Sequence, residues 1–345
     1  MDIHNEEFIS IDKKLDHIKY GIDNSFIYTI ENVHRFIVNM SQYMIDNPEE
    51  FSKNIEEFKK GLDEDSLEAL EAWKLQRKLG IKYGSEFWRV PASTTFFTNE
   101  QKIIHSTKFQ IYDSIINNYK NKYDIKDIGL TIHTHYYDCG LIYVPSYIKN
   151  TFKDGIAIDG GAYIGDTAIM LYEQYDFKSI YSFEPTNKSY SILSESINRY
   201  KLDDRIKLYK YALSDKNEKI NIVGENSDAS ILMKNENLKS EEIETVLLDD
   251  FLKNNNEHVS LIKLDVEGYE EQALKGAEKT IIRYKPVLLI SCYHDHTALG
   301  QMFRIKKYIE NLNLGYKILF RGLEIESILE YNLICYIPEQ NRTEQ

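Results

Sequence analysis

Cysteine, proline, glycine and positive charge are all scarce in this chain of 345 residues, which holds 3 Cys, 6 Pro and 16 Gly. Cys139, Cys292 and Cys335 are odd in number and form no Cys-x-x-Cys pair, so the sequence offers neither a disulfide framework nor a zinc or redox motif; reduced thiols are expected. So little Pro and Gly excludes a collagen-like repeat and a long low-complexity linker. Lys and Arg total 42 against 55 Asp and Glu, a net charge of −13. That balance disfavours nucleic acid or an anionic membrane as the main partner. No apolar run approaches the ~18 residues of a membrane span. The start, Met1-Asp2-Ile3-His4-Asn5-Glu6-Glu7, is acidic where a signal peptide is basic, so a cytoplasmic protein is expected.

At ~150 residues per domain the length allows about two domains, and 42% hydrophobic with 28% charged residues is ordinary globular usage. Residues 1–125 read as helical. Phe8, Ile11, Leu15, Ile18 and Ile22, then Phe26, Ile30, Val33, Ile37, Met40 and Met44, recur at alternating spacings of three and four. Such narrow seams suit either a helical hairpin packed on its own domain or a homodimer contact. A further helix is expected between Asp65 as N-cap, with Glu68 three residues on, and Gly80 just past its end. Near 126 the pattern changes, and Gly140-Leu141-Ile142-Tyr143-Val144-Pro145 reads as a strand region, so 126–345 forms the second unit.

Beyond 155 short apolar runs alternate with amphipathic stretches. Strands are expected at 156–159, 179–184, 206–211, 259–265, 286–292, 315–320 and 331–337, and helices near 164–175, 187–200, 269–283 and 298–312. This is the pattern of a parallel α/β sheet. A loop of about ten residues without helical pattern joins the last two strands, so the final strand should run antiparallel.

The run Ile156-Ala157-Ile158-Asp159 enters Gly160-Gly161-Ala162-Tyr163-Ile164-Gly165-Asp166-Thr167 ahead of a helix. A sharp turn that lets backbone approach a ligand requires residues without Cβ, and the helix beyond offers free N–H donors. Asp159 closes the first strand, where its carboxylate suits an ammonium group. Glu184, in Phe183-Glu184-Pro185, closes the second and suits a pair of ribose hydroxyls. A nicotinamide cofactor would share Glu184, but a pyrophosphate would avoid the carboxylates of Asp159 and Asp166. The cationic sulfonium amino acid S-adenosylmethionine fits the charge better.

These residues, together with Tyr211-Ala212-Leu213-Ser214-Asp215, Lys263-Leu264-Asp265-Val266-Glu267-Gly268-Tyr269-Glu270 and Leu274-Lys275-Gly276-Ala277, resemble the FkbM-type methyltransferases over about 127–337. The resemblance implies a class I methyltransferase, Rossmann-like seven-stranded sheet with the last strand antiparallel, here preceded by an N-terminal helical region. It implies methyl transfer from S-adenosylmethionine to a hydroxyl of a small-molecule or glycan acceptor, a sugar or related secondary metabolite, as in bacterial surface glycan biosynthesis. By motif position Asp159, Gly160, Gly161, Ala162 and Gly165 would line the methionine end, and Glu184 with Pro185 the ribose. Ala212 and Leu213 would lie against adenine with Ser214 or Asp215 near its amino group, and Ser230 would be a further contact. Two departures are evident: Ser291-Cys292-Tyr293-His294 lacks the acidic residue that often precedes the histidine, and 1–125 has no counterpart.

Ligands of open α/β sheets bind at the carboxyl ends of the strands, which makes Asp265, Glu267 and His294 the candidates for chemistry. Either His294, with an unperturbed pKa of ~6.5, or Asp265 would take the acceptor's proton, with Glu267 balancing charge. His133-x-His135 with Asp138, and His294-x-His296 with Asp295, have ligand-like spacing but no complete set, and no metal is expected. Two other function classes fit parts of the sequence: a nicotinamide-dependent oxidoreductase and a non-catalytic methyltransferase-like scaffold.

Overall fold

The computed structural model describes residues 40–83, 114–123, 131–223, 240–294, 299–323 and 330–339. The first apolar seam, most of the second, and Ser230, Asp295 and His296 lie outside these residues. In chain order the main elements are helices α1 (Pro48–Lys59) and α2 (Glu64–Tyr83), strand β1 (Ile156–Gly160), α3 (Asp166–Gln174), β2 (Ser179–Phe183), α4 (Asn187–Tyr200), β3 (Ile206–Tyr209), β4 (Ala212–Leu213), β5 (Lys219–Val223), β6 (Ser240–Val246), β7 (Val259–Leu264), α5 (Glu270–Gly276), α6 (Glu278–Tyr284), β8 (Val287–Ser291), α7 (Gln301–Asn311), β9 (Lys317–Gly322) and β10 (Tyr331–Tyr336).

Seven strands form one sheet in the order β3-β2-β1-β7-β8-β10-β9. The pairs from β3 to β8 are parallel, and β10 lies antiparallel to both β8 and β9, as the short final connection predicts. Strand residues alternate between two cores because successive side chains leave opposite faces. Ile156 and Ile158 join the core that holds α5, α6 and α7, whereas Ala157 joins the one that holds α3 and α4. Burial on both faces explains the apolar run Val287-Leu288-Leu289-Ile290 of β8, and β7 is buried along its whole length even at Ser260 and Lys263.

Helices α1 and α2 extend the first core. Phe51, Phe58 and Trp73 surround Phe303 of α7, and Phe58 also meets Phe320 of β9 edge to face. The start of α2 differs from the sequence expectation: Asp63, not Asp65, accepts the Ser66 amide at 3.0 Å, and the helix runs on through Gly80 to Tyr83. Arg321 of β9 closes on this cap, donating to Asp63 Oδ2 at 2.9 Å and to Ser66 Oγ at 2.5 Å.

Other departures are local. Residues 138–143 form a 3-10 turn, not a strand, with Asp138, Cys139 and Gly140 at positive φ, and His133 and His135 lie on the short helical turn Ile132–His135. The third strand stops at Tyr209, and Ala212–Leu213 pairs instead with β6 in a three-stranded sheet of order β4-β6-β5. The helix expected near 269–283 is broken at Ala277 into α5 and α6. Gly276 ends α5 where a Cβ would stand 1.9 Å from the Ser214 carbonyl oxygen, so this close approach requires glycine.

Candidate active site

A pocket opens at the carboxyl ends of β1, β2 and β7. Its wall includes Gly161, Tyr163, Asp166, Glu184, Pro185, Ala212, Leu213, Lys263, Asp265 and Glu267. The glycine turn shapes its floor. Gly161 has φ +75, and a Cβ there would stand 1.8 Å from the Asp265 carbonyl oxygen, so only glycine lets the turn pack against the end of β7. The amides of Gly161 and Ala162 both donate to the Phe183 carbonyl at 3.0 Å, which ties the turn to β2.

Glu184 follows β2 and is nearly buried. Its Oε2 accepts the Tyr163 amide at 3.0 Å, and Oε1 accepts the Thr186 amide at 2.9 Å and hydroxyl at 2.6 Å. Burial raises its pKa, an effect opposed by the Thr186 donors. These contacts hold the carboxylate in one orientation at the pocket wall.

Asp159 is placed differently from the expectation for a ligand-facing acid. It is fully buried and absent from the pocket wall, and its neighbour is the equally buried Lys263, with Nζ 3.3 Å from Oδ1. The same ammonium donates to the Gly161 carbonyl at 3.0 Å. Burial would depress the lysine, but Asp159 and Asp265 hold it above its usual range, so it stays charged. Asp166, in contrast, lines the pocket, and its Oδ2 accepts the Thr134 hydroxyl at 3.1 Å.

Behind the pocket His294 is clasped by carboxylates. Its Nδ1 stands 2.9 Å from Glu270 Oε1, and its Nε2 stands 3.4 Å from Glu267 Oε2 and 3.6 Å from Asp265 Oδ1. Glu270 is itself anchored, accepting the Val266 amide at 2.9 Å and the Gly268 amide at 3.3 Å. Burial alone would lower the imidazole pKa, yet Glu267 and Glu270 raise it well above its ordinary value, so His294 is an imidazolium. Burial pushes Glu267 up to about 7. Asp265 receives the Tyr293 hydroxyl at 3.0 Å; burial would raise it, but Lys263, His294 and His133 together hold it below the usual carboxylate range.

The fold thus brings Asp265, Glu267 and His294 together, and sets Gly161, Glu184, Pro185, Ala212 and Leu213 around the same pocket. Gly160, Ala162, Gly165 and Ser214 are buried beneath its wall. Sequence reasoning missed Glu270, Tyr293 and Thr134. Glu270 stood within the quoted motif and Tyr293 beside the histidine, but Thr134 carries no pattern that marks it. His133 also lines the pocket; burial drops its pKa to about 4, and its Nε2 lies 3.3 Å from Asn332 Nδ2.

Residues 159–318 match the family model described as the methyltransferase FkbM domain. No curated protein sequence matches the chain. Among solved structures it is similar to methyltransferase FkbM from Methylobacillus flagellatus KT, at 18% identity over 79% of this chain and 61% of that one, with a TM-score of 0.46. An rRNA methylase from Streptococcus thermophilus shares 11% identity over 56% of this chain and 93% of its own, with a TM-score of 0.37. An O-methyltransferase from Bacillus cereus in complex with SAH shares 9% identity over 70% of this chain and 98% of its own, with a TM-score of 0.37. The chain spans less than two thirds of the length of the Methylobacillus relative.

Proposed function

Residues 159–318 are a methyltransferase FkbM domain, and from that premise we propose that the chain transfers a methyl group from S-adenosylmethionine to a hydroxyl of a sugar or related metabolite. One observation carries the choice of donor. Asp166, Glu184, Asp265, Glu267 and Glu330 line the pocket, while Lys263 on its wall is already bonded within the protein. Such a lining attracts a sulfonium amino acid and opposes the pyrophosphate of a nicotinamide cofactor.

Bound there, the sulfonium group supplies an electrophilic methyl and a neutral thioether as leaving group. The protein's own task is then to orient and to accept a proton. Glu184, fixed by Tyr163 and Thr186, presents a preset carboxylate to two ribose hydroxyls. Ala212, Leu213 and Ile222 supply an apolar wall for the base. With His294 held charged, the proton goes to a carboxylate. Glu267, near 7, is matched to accept it at neutral pH, and Asp265, braced by Tyr293, orients the acceptor hydroxyl.

Residues 126–345 carry the transfer in this reading, and residues 1–125 serve acceptor choice or dimerisation. Helices α1 and α2 pack at the β9 side of the sheet, and residues 40–83 contribute nothing to the pocket wall among the described residues. The acceptor belongs to the surface-glycan type in a cytoplasmic setting; no described helix is long and apolar enough to cross a membrane. Calorimetric titration with S-adenosylhomocysteine, the demethylated product, and separately with NADH tests the donor. Binding of the first and not the second is expected; the reverse refutes the reading.

A further inference from the structure

The turn after β1 holds an ammonium of the protein's own. Lys263 Nζ occupies both groups of the turn that would otherwise receive an amine: the Asp159 carboxylate, at 3.3 Å, and the Gly161 carbonyl, at 3.0 Å. Asp159 has no solvent-accessible surface and is not part of the pocket wall, so a ligand cannot reach it without displacing a buried cation. Asp265 reaches the pocket but is engaged by the Tyr293 hydroxyl and lies beside the His294 imidazolium, on the side where the acceptor's proton is handled.

Asp166 is the remaining acid of this turn. It opens α3 directly after Gly165, the N-cap, at a φ of +98. Its carboxylate accepts the hydroxyl of Thr134, which belongs to the helical turn Ile132–His135. Thr134 is itself held by its amide, which donates to Thr131 Oγ1 at 3.1 Å. Asp166 and Thr134 both line the pocket.

We propose that Asp166, braced by Thr134, holds the ammonium of the sulfonium amino acid, in the place that Asp159 has ceded to Lys263. The proposal rests on the donor reading above and refines it. Two consequences follow. The acid that grips the donor lies inside the family-matched segment 159–318, but its brace, Thr134, comes from ahead of that segment. Burial raises the Asp166 pKa even though Lys263 and the Thr134 hydroxyl oppose it, and an incoming ammonium at the pocket would relieve the remaining penalty.

The test compares S-adenosylhomocysteine with 5′-methylthioadenosine, which shares the nucleoside and thioether but lacks the amino-acid group. Titration of both into the full chain and into Asp166→Asn should show S-adenosylhomocysteine weakened about 10- to 100-fold, the range for losing a hydrogen bond to a charged group. Methylthioadenosine should change by less than about twofold, since it makes no contact with this carboxylate. Should Asp166→Asn fold poorly, Thr134→Val gives a second reading, with a smaller loss again confined to S-adenosylhomocysteine. Equal loss for both ligands, or no loss for either, overturns the assignment to Asp166 while leaving the donor reading intact. If the unaltered chain binds neither ligand, the donor reading itself falls.

Discussion

Replacing Lys263 by methionine probes the pair on which the glycine turn rests. The side chains of Lys263 and Asp159 are 5% and 0% exposed, and the ammonium also serves the Gly161 carbonyl. Breaking a buried ion pair from one side costs about 3–5 kcal/mol, and an orphaned buried carbonyl adds about 1–3 kcal/mol. Asp159 can escape part of this by taking up a proton, which brings the expected loss to roughly 3–5 kcal/mol. At about 2–4 °C per kcal/mol for a domain of this size, Tm should fall by about 10 °C. The deficit should be smaller at pH 5 than at pH 8: burial already raises the Asp159 pKa against the opposing Lys263, loss of the lysine raises it further, and a group whose folded pKa is raised contributes stability at low pH and loses it as pH rises. Urea unfolding followed by far-ultraviolet circular dichroism measures both effects. In the cycle with Asp159→Asn, the double variant should lie about 2 kcal/mol above the sum of the singles. A loss for Lys263→Met below about 1 kcal/mol, or strict additivity, would refute a structural role for the pair.

Three further outcomes are expected. Gly161→Ala places a Cβ 1.8 Å from the Asp265 carbonyl oxygen at a positive φ; calorimetry should show S-adenosylhomocysteine binding lost, with a stability cost of about 2–4 kcal/mol by chemical denaturation. Glu267→Gln should cut methyl uptake by a screened sugar acceptor about 10²- to 10⁴-fold while leaving product binding unchanged. In the unaltered protein the rate should fall as pH drops through about 7, where Glu267 becomes protonated. Asp63→Ala should loosen the start of α2. Its carboxyl is held at about 2, from a usual 3.8, chiefly by Arg321 and Ser66 against the opposing effect of burial. The pair therefore stabilises the fold above pH 3.8 and loses that contribution as pH falls toward 2. After discounting for partial exposure it is worth about 1 kcal/mol, readable as a smaller acid-induced loss in the variant.

Much of this protein was legible in one dimension. The seven main strands fall within two residues of their expected positions, most directly where β1, β7, β8 and β10 are buried along their whole length, because burial writes itself into composition. Gly161 was identifiable because its turn and close backbone approach demand glycine, and Glu184, Asp265 and Glu267 by their place at strand ends and in the segments that resemble the family. One misreading has a backbone cause. At 140–145 an apolar run looked like a strand, but positive φ at Asp138, Cys139 and Gly140 coils the backbone there, and periodicity does not report φ.

What only the tertiary structure decided is which charges meet. Sequence order makes Asp159 and Asp166 equivalent acids on one turn, yet Lys263, 104 positions beyond Asp159, neutralises the first and leaves the second facing the pocket. Likewise His294 reads as a neutral base until Glu267 and Glu270 close around it and make it a cation. A side chain's protonation depends on which groups lie within a few ångströms in a medium of low polarity. That neighbourhood is assembled from β1, β7, β8 and the start of α5, so it does not exist until the sheet has closed.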